Sequence, residues 1–333
     1  MTLTEPVGQQ SLKKRLLSAL QDGAGHAYLF SGPAGSGRHT FAIAFAKALL
    51  CQQPREDGAC GQCDACRHFA NGIHPDFKQL ELVDKEKNIK VERVRQLCAD
   101  ISMQPQRSER KVYLINGDYL NEQGQNALLK SLEEPPGYVV FLMISSGTEK
   151  LLPTVLSRLT MLRMQRYSSA ELFSILEQSG FVRGEKMQFL VRYANGLPGR
   201  ALELAGNEKF IQMRQETVDF YLDLPRKSRT ELLSSGFSFF DERRDDSGLI
   251  FSVMSSLIRD QLLMTAEAEN SMLVNQDLLN RLRAALPAHE AEKRLGSCFD
   301  SLKEAGRALA LNASFEVMIC QLLLSLRKEL ANA

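Results

Sequence analysis

The nine-residue segment GPAGSGRHT, from Gly32 to Thr40, has the outline of a phosphate-binding loop. Gly32 and Gly37 bound a G-x-x-x-x-G frame, which such loops follow with a lysine for the phosphates and a Ser or Thr for Mg²⁺. Arg38 and His39 hold those two positions, and Thr40 comes one place late. A planar guanidinium does not replace a compact ammonium, and Mg²⁺ prefers oxygen ligands to imidazole. The segment therefore predicts a nucleotide-binding scaffold that has lost its chemistry, and we do not expect ATP to bind there.

A second group of residues bears on ATP hydrolysis. An ATPase of this kind carries acidic side chains where its second strand ends, because carboxylates hold Mg²⁺ and polarise the attacking water. Here the strand predicted at residues 111–115 runs into Asn116 and Gly117, and Asp118 comes two positions late. Because two parts of the machinery are missing, we expect no hydrolysis by the isolated chain. The alternative is a self-sufficient ATPase in which a shifted loop brings Thr40 to Mg²⁺, and turnover by the purified chain would discriminate the two.

Four of the seven cysteines are clustered in the sequence, at Cys51, Cys60, Cys63 and Cys66. Cys-x2-Cys spacing suits two thiolates that grip one tetrahedral ion, and we expect that ion to be a structural zinc. An iron–sulfur cluster is the rival, because Cys-x2-Cys-x2-Cys also suits one. Four thiolates fill a tetrahedral site, so the nearby histidines are expected to be structural.

The composition is that of an ordinary soluble protein, with 44% hydrophobic and 24% charged residues. Its 41 basic and 40 acidic residues give a net charge of +1, which predicts no global attraction to nucleic acid. A zinc-dependent nucleic-acid-binding module is the second alternative, although Arg55, Arg67 and Lys78 supply few basic groups around the cysteines. The chain shows neither a signal-peptide pattern nor a run of about 18 apolar residues. We therefore expect a cytoplasmic protein without structural disulfides.

Short apolar strands alternate with helices in the first half of the chain. Strands are predicted at residues 27–30, 111–115 and 138–145, and helices at 40–50 and 126–134. This alternation implies a parallel α/β sheet with helices on both faces, a three-layer arrangement. The loop after the first strand then lies at the carboxyl edge of the sheet, where ligands bind in such folds.

Strand patterns end near residue 166, and amphipathic helical patterns follow. We predict three domains: a nucleotide-binding-like domain at 1–165 with the cysteine module at 51–66, a small helical lid domain at 166–207, and an all-α domain at 208–333. The last domain has no residues with visible chemistry, which indicates a role in oligomerisation.

A further candidate is Arg158, which follows Ser157 in the segment LLPTVLSR. Taken alone, the Ser-Arg dipeptide is a weak signal, and the simplest interpretation is a solvent-exposed arginine on the surface. Its place after the third strand, at the edge of the α/β domain, also allows the guanidinium to face a neighbouring subunit.

Together these motifs resemble one family. HAYLFSGPAGSGRHT, the four-cysteine module, NALLKSLEEPP and LLPTVLSR occur in the order and spacing of bacterial clamp-loader subunits of the AAA+ class. The resemblance covers roughly the first 205 residues with specific motifs. The C-terminal third is similar to the family's collar domain in length and helical pattern.

The resemblance implies a heteropentameric ring that opens the sliding clamp and places it on primer–template DNA. The implied partners are the motor subunits tau and gamma and the delta subunit. Motor subunits keep Lys-Thr and Asp-Glu pairs where this chain has Arg38-His39 and Asn116-Gly117. The resemblance is therefore to a non-hydrolysing subunit of the ring.

It also implies roles for individual residues. Arg158 matches the arginine that reaches into the adjacent subunit's ATP site, although Leu159 stands where the family's Ser-Arg-Cys motif has cysteine. Ser145-Ser146 lies where the first sensor residue would be. The second sensor, an arginine in the family, falls on Gly199, and Arg200 comes one place late.

Overall fold

The computed structural model describes residues 2–83, 86–181, 184–311 and 313–331. The chain forms two compact units, one of Met1–Gly180 with Ala194–Leu202 and one of Phe181–Tyr193 with Glu203–Ala333. The division into domains at 1–165, 166–207 and 208–333 stays a prediction. In the described residues no helix is both long and apolar enough to cross a membrane.

The first unit is built on one sheet of five strands, and every pair of neighbouring strands is parallel. The strands are β1 (Ala27–Ser31), β2 (Phe77–Leu80), β3 (Lys111–Asn116), β4 (Val139–Ser145) and β5 (Thr160–Arg163). They lie in the order β2-β3-β4-β1-β5. The predicted parallel α/β sheet is confirmed, and the edge strands β2 and β5 are additions that the sequence analysis did not predict.

The central strands determine where the candidate site lies. Strands β1, β3 and β4 are buried along almost their whole length, as expected where helices cover both faces of a parallel sheet. Ser31 is paired in register with Ser145, and Asn116 with Ile144. The carboxyl ends of these three strands therefore lie side by side at one edge of the sheet.

Helices cover both faces of this sheet. The helices of the chain are α1 (Gln10–Asp22), α2 (Arg38–Leu49), α3 (Asp64–Ala70), α4 (Val91–Ile101), α5 (Glu122–Glu133), α6 (Pro153–Leu156), α7 (Ser169–Gln178), α8 (Glu185–Tyr193), α9 (Pro198–Gly206), α10 (Glu208–Asp223), α11 (Arg229–Glu231), α12 (Phe237–Asp241), α13 (Ser247–Thr265), α14 (Leu279–Ala284), α15 (Ala291–Ala310) and α16 (Phe315–Leu330). On one face, Phe45 of α2 shares a buried core with Phe30. On the other, Leu128 of α5 shares a second core with Tyr113. The first unit thus has the predicted three layers.

The second unit is helical, and its described residues contain no strand. The guanidinium of Arg214 on α10 lies 3.7 Å from the ring centroid of Phe189, and its Nη1 donates to Asp277 Oδ2 at 2.8 Å. Leu257 and Ile258 of α13 are fully buried in this unit. The predicted helical character of the C-terminal region is confirmed.

Candidate functional site

The phosphate-loop segment connects β1 to α2 at the carboxyl edge of the sheet. The amide of Gly32 donates to the carbonyl of Ser145 at 3.1 Å, which attaches the loop to the end of β4. Gly37 precedes the first residue of α2 with a φ of 89°, and Gly35 has a φ of 77°. Both values lie in the left-handed region that glycine enters without strain. The loop inferred from the sequence therefore adopts a backbone conformation that favours glycine at these two positions.

The residues at the lysine and hydroxyl positions of the loop point to different partners. Arg38 Nη1 lies 3.4 Å from Asp118 Oδ2, and both side chains are only 13% exposed. His39 Nε2 lies 3.4 Å from Glu81 Oε1, and this pair is about half exposed. Thr40 is an exposed residue in the first turn of α2. The described structure thus pairs Arg38 with an acid, and gives neither His39 nor Thr40 a carboxylate-rich site for Mg²⁺.

Asp118 is the centre of a hydrogen-bond network that the sequence analysis missed. Its Oδ1 accepts hydrogen bonds from Ser145 Oγ at 2.8 Å, from the Ser146 amide at 2.7 Å and from Ser146 Oγ at 3.0 Å. Lys150 Nζ lies 3.7 Å from the same oxygen. Burial opposes ionisation of Asp118, but the hydrogen bonds from Ser146 and Ser145 and the charge of Arg38 outweigh it and lower the pKa of the carboxyl. Asp118 is therefore an anion at this edge of the sheet.

Gly199, at the second-sensor position, lies directly against the loop. Its amide donates to the Gly35 carbonyl at 2.8 Å. A Cβ built on Gly199 would lie 2.7 Å from Gly35 Cα, and a Cβ on Gly35 would lie 3.1 Å from the amide nitrogen of Arg200. The start of α9 therefore packs backbone against backbone on the phosphate loop.

An apolar pocket of about 410 Å³ lies beside this loop. Its walls include Arg38 and Thr40 on one side and Val7, Tyr167 and Ile175 on the other. This volume is within the range of small-ligand sites, which are mostly apolar with few polar groups. Among the described residues that line it, Arg38 carries the guanidinium, which is already paired with Asp118.

The four predicted metal ligands come together in space. The ligand atoms of Cys51, Cys60, Cys63 and Cys66 all lie within 4.8 Å of one another. The Sγ atoms of Cys51 and Cys63 are 3.9 Å apart, as are those of Cys60 and Cys66. A zinc ion with Zn–S bonds of about 2.3 Å has tetrahedral S···S edges of about 3.8 Å. The donor set and its dimensions therefore fit a zinc ion.

The backbone around the cysteines also suits thiolates. The amides of Gln62 and Cys63 donate to Cys60 Sγ at 3.4 and 3.3 Å, and the amide of Cys60 donates to Cys51 Sγ at 3.3 Å. The hydrogen bond from Gln62 is the main cause that lowers the pKa of Cys60, to about 6. Burial raises the pKa of Cys66 to about 12, so this thiol needs an ion to become a thiolate.

The chain order explains how the cysteines meet. Cys51 comes just after α2 ends at Leu49, and Cys63 is the N-cap of α3, where its sulfur accepts from the Cys66 amide at 3.5 Å. His74 lies outside the ligand set, and its Nδ1 accepts from the Asp76 amide at 3.1 Å. The module is thus fixed to the end of the same helix that begins at the phosphate loop.

Arg158 lies at the opposite edge of the sheet from the phosphate loop. It comes two residues before β5 begins, and the surface opening around it includes His26, which precedes β1. The five residues of β1 span about 16 Å between the two edges. Arg158 forms an ion pair with Glu133 at the end of α5, and its Nη1 donates to Ser157 Oγ at 3.2 Å. The structure therefore separates Arg158 from Arg38 and Asp118.

The segment that holds this site is similar in sequence to known proteins. Residues 8–168 match the family model described as DNA polymerase III, delta subunit. The chain is 46% identical over 151 residues to DNA polymerase III subunit delta' of Pseudomonas aeruginosa, with 45% of each chain covered. It is 36% identical over 165 residues to DNA polymerase III subunit tau of Bacillus subtilis, with 49% of this chain and 29% of that protein covered. It thus spans less than half the length of these curated relatives.

A solved structure, a DNA polymerase III gamma subunit-related protein of Thermotoga maritima, aligns over 95% of this chain and 98% of that one, with 18% identity and a TM-score of 0.48. The segment matched by the family model holds the whole sheet, the phosphate loop, the four cysteines and Arg158. The structure confirms the predicted α/β fold, a parallel sheet between helices followed by a helical C-terminal region. Residues 8–168 of this chain therefore match the family described as DNA polymerase III, delta subunit.

Proposed function

We propose that this chain is a delta-prime type subunit, which does not hydrolyse ATP and supplies Arg158 to the ATP site of a neighbouring motor subunit. The observation that carries the proposal is the position of Arg158 at the amino edge of the sheet. A guanidinium there is separated from its own loop by the length of β1. It lies on the surface with 30% of its side chain exposed, so a neighbouring subunit has access to it.

The chemistry of an arginine in trans fits such a residue. Negative charge spreads over the γ-phosphoryl oxygens as the bond to the leaving group breaks, and a positive charge placed there stabilises the transition state. The planar fork of arginine meets two oxygens at once. Arg158 must leave Glu133 to do this, and a surface pair whose side chains are 30% and 47% exposed separates at little cost.

The chain's own loop supports the non-hydrolysing part of the proposal. Arg38 is engaged by Asp118, and Asn116 and Gly117 stand where acidic residues would hold Mg²⁺. Gly199 provides no side chain to sense a nucleotide. In this proposal the loop is a structural element, and any nucleotide chemistry belongs to the neighbouring subunits.

The proposed partners are the tau/gamma motor subunits and the delta subunit, with the sliding clamp and primer–template DNA engaged by the assembled complex in the cytoplasm. The region 208–333 serves as the collar that holds the ring. The four cysteines hold a structural zinc, which secures a short module with few apolar side chains of its own. The zinc takes no part in catalysis in this proposal.

Assembly and turnover together test the proposal. The purified chain is mixed with motor, delta and clamp subunits and primed DNA. We expect one stable complex with DNA-stimulated ATPase, and turnover by this chain alone below about 0.01 per second, far slower than working enzymes. Faster turnover that Gly37→Asp abolishes would make the chain a self-sufficient ATPase. Failure to enter the complex would contradict the proposed role.

A further inference from the structure

The degenerate phosphate loop contains an anion of the chain's own. Asp118 follows β3, accepts hydrogen bonds from Ser145 and Ser146 after β4, and pairs with Arg38 at the start of α2. Its side chain is 13% exposed. One carboxylate therefore connects the ends of two neighbouring strands to the first residue of the helix that follows the loop.

The basic groups at this edge have an acidic partner before any ligand arrives. A working phosphate loop presents a lysine and Mg²⁺ to the negative charges of a nucleotide. Here the basic groups that face this point, Arg38 at 3.4 Å and Lys150 at 3.7 Å, both face Asp118. An incoming phosphate would have to compete with Asp118 for both cations and would meet a carboxylate of its own sign, and like charges in a partly buried site repel strongly.

We propose that Asp118 is a built-in substitute for nucleotide phosphate: it holds Arg38 and the ends of β3 and β4 in one arrangement, and it excludes nucleoside diphosphates and triphosphates from the loop. The apolar pocket beside the loop remains open to an aromatic base. Charge, and not lack of space, therefore excludes the ligand. This inference goes beyond the in-trans role of Arg158, because it concerns the isolated chain's own loop.

The test is ADP binding by the full chain, measured by calorimetry with and without Mg²⁺. Asp118→Asn keeps the size of the side chain and removes its charge. For the unmodified chain we expect no heat of binding at ADP concentrations up to about 1 mM, at which even a weak ligand would bind. Asp118→Asn should bind at least about tenfold more tightly, or about 1.4 kcal/mol. The double variant Arg38→Gln/Asp118→Asn should lose this gain, and Asp241→Asn, an exposed acid elsewhere, should leave binding unchanged.

Two results would overturn the proposal. The first is ADP binding by the unmodified chain within about twofold of Asp118→Asn. The second is a folded Asp118→Asn, with an unchanged circular dichroism spectrum, that gains no affinity. If Asp118→Asn does not fold, the double variant decides the question, because it leaves no buried guanidinium unpaired, and Lys150 is 46% exposed to solvent. A double variant that folds supports the proposed pairing of Arg38 with Asp118. A double variant that also fails to fold refutes this pairing.

Discussion

The contact between Gly199 and the phosphate loop gives a prediction whose size follows from the geometry. In Gly199→Ala the new Cβ would lie 2.7 Å from Gly35 Cα and 3.1 Å from the Gly35 carbonyl oxygen. Both atoms belong to the backbone, so the loop or the start of α9 must move. That movement lengthens or breaks the 2.8 Å hydrogen bond from the Gly199 amide to Gly35.

The expected cost combines two destabilising terms with one stabilising term. Overpacking costs about 1–3 kcal/mol, and loss of a backbone hydrogen bond adds about 1 kcal/mol. Replacing glycine by alanine in a helix gains about 0.4–1 kcal/mol where space allows. The free energy of unfolding should therefore fall by about 2 kcal/mol in Gly199→Ala. In Gly206→Ala, at the end of the same helix and with no heavy atom within 4 Å of the new Cβ, it should stay the same or rise.

Urea unfolding followed by far-ultraviolet circular dichroism measures both variants, since the chain has no tryptophan. Equal m-values would show that the two variants expose the same surface on unfolding. A Gly199→Ala variant as stable as Gly206→Ala would refute the close packing of α9 on the loop.

Three further predictions concern the metal site, the acid and the arginine. Cys63→Ser should lower both zinc content and melting temperature, and elemental analysis that finds iron, or less than half an equivalent of zinc in the unmodified protein, would contradict the assignment. The pKa of Asp118 is lowered in the folded state, so its contribution to the free energy of unfolding is present above about pH 4 and is lost as pH falls through the folded pKa. The stability difference between the unmodified chain and Asp118→Asn should therefore shrink between pH 7 and pH 3 in urea titrations, and a constant difference would contradict an ionised Asp118. Glu133→Gln removes the exposed partner of Arg158 and should change stability by less than about 1 kcal/mol while the complex keeps its ATPase activity; a marked loss of that activity would make Glu133 necessary for the arginine's action.

The central sheet could be predicted from the sequence because β3 and β4 are continuous apolar runs. The edge strands could not. The sequence FKQL of β2 is half polar and partly exposed, and TMLR of β5 buries only Leu162 fully. Four-residue segments of mixed polarity have no periodicity that distinguishes a strand from a loop.

The part of the candidate site that is defined by residue spacing in the sequence could be predicted. The part that is defined by how the strands align in the sheet could not. The Cys-x2-Cys spacing identified the four residues that the structure gathers. Arg38 and Asp118 were each interpreted as a loss of function, since they lie 80 positions apart and pair only because β3, β4 and β1 align their carboxyl ends. Gly199 was interpreted as a missing sensor, and its contact with Gly35 depends on the fold.

Arg158→Ala in the reconstituted complex tests the proposed function most directly. Single-turnover ATP hydrolysis is measured with clamp and primed DNA, beside Arg95→Ala, an exposed arginine on α4. Arg158→Ala should leave assembly intact and slow hydrolysis at the one facing site by about 10³-fold or more, with a matching loss of clamp loading that Arg158→Lys rescues poorly. Arg95→Ala should behave as the unmodified complex. Normal hydrolysis and clamp loading by an assembled Arg158→Ala complex would contradict the proposal that this chain acts through its neighbour's ATP site.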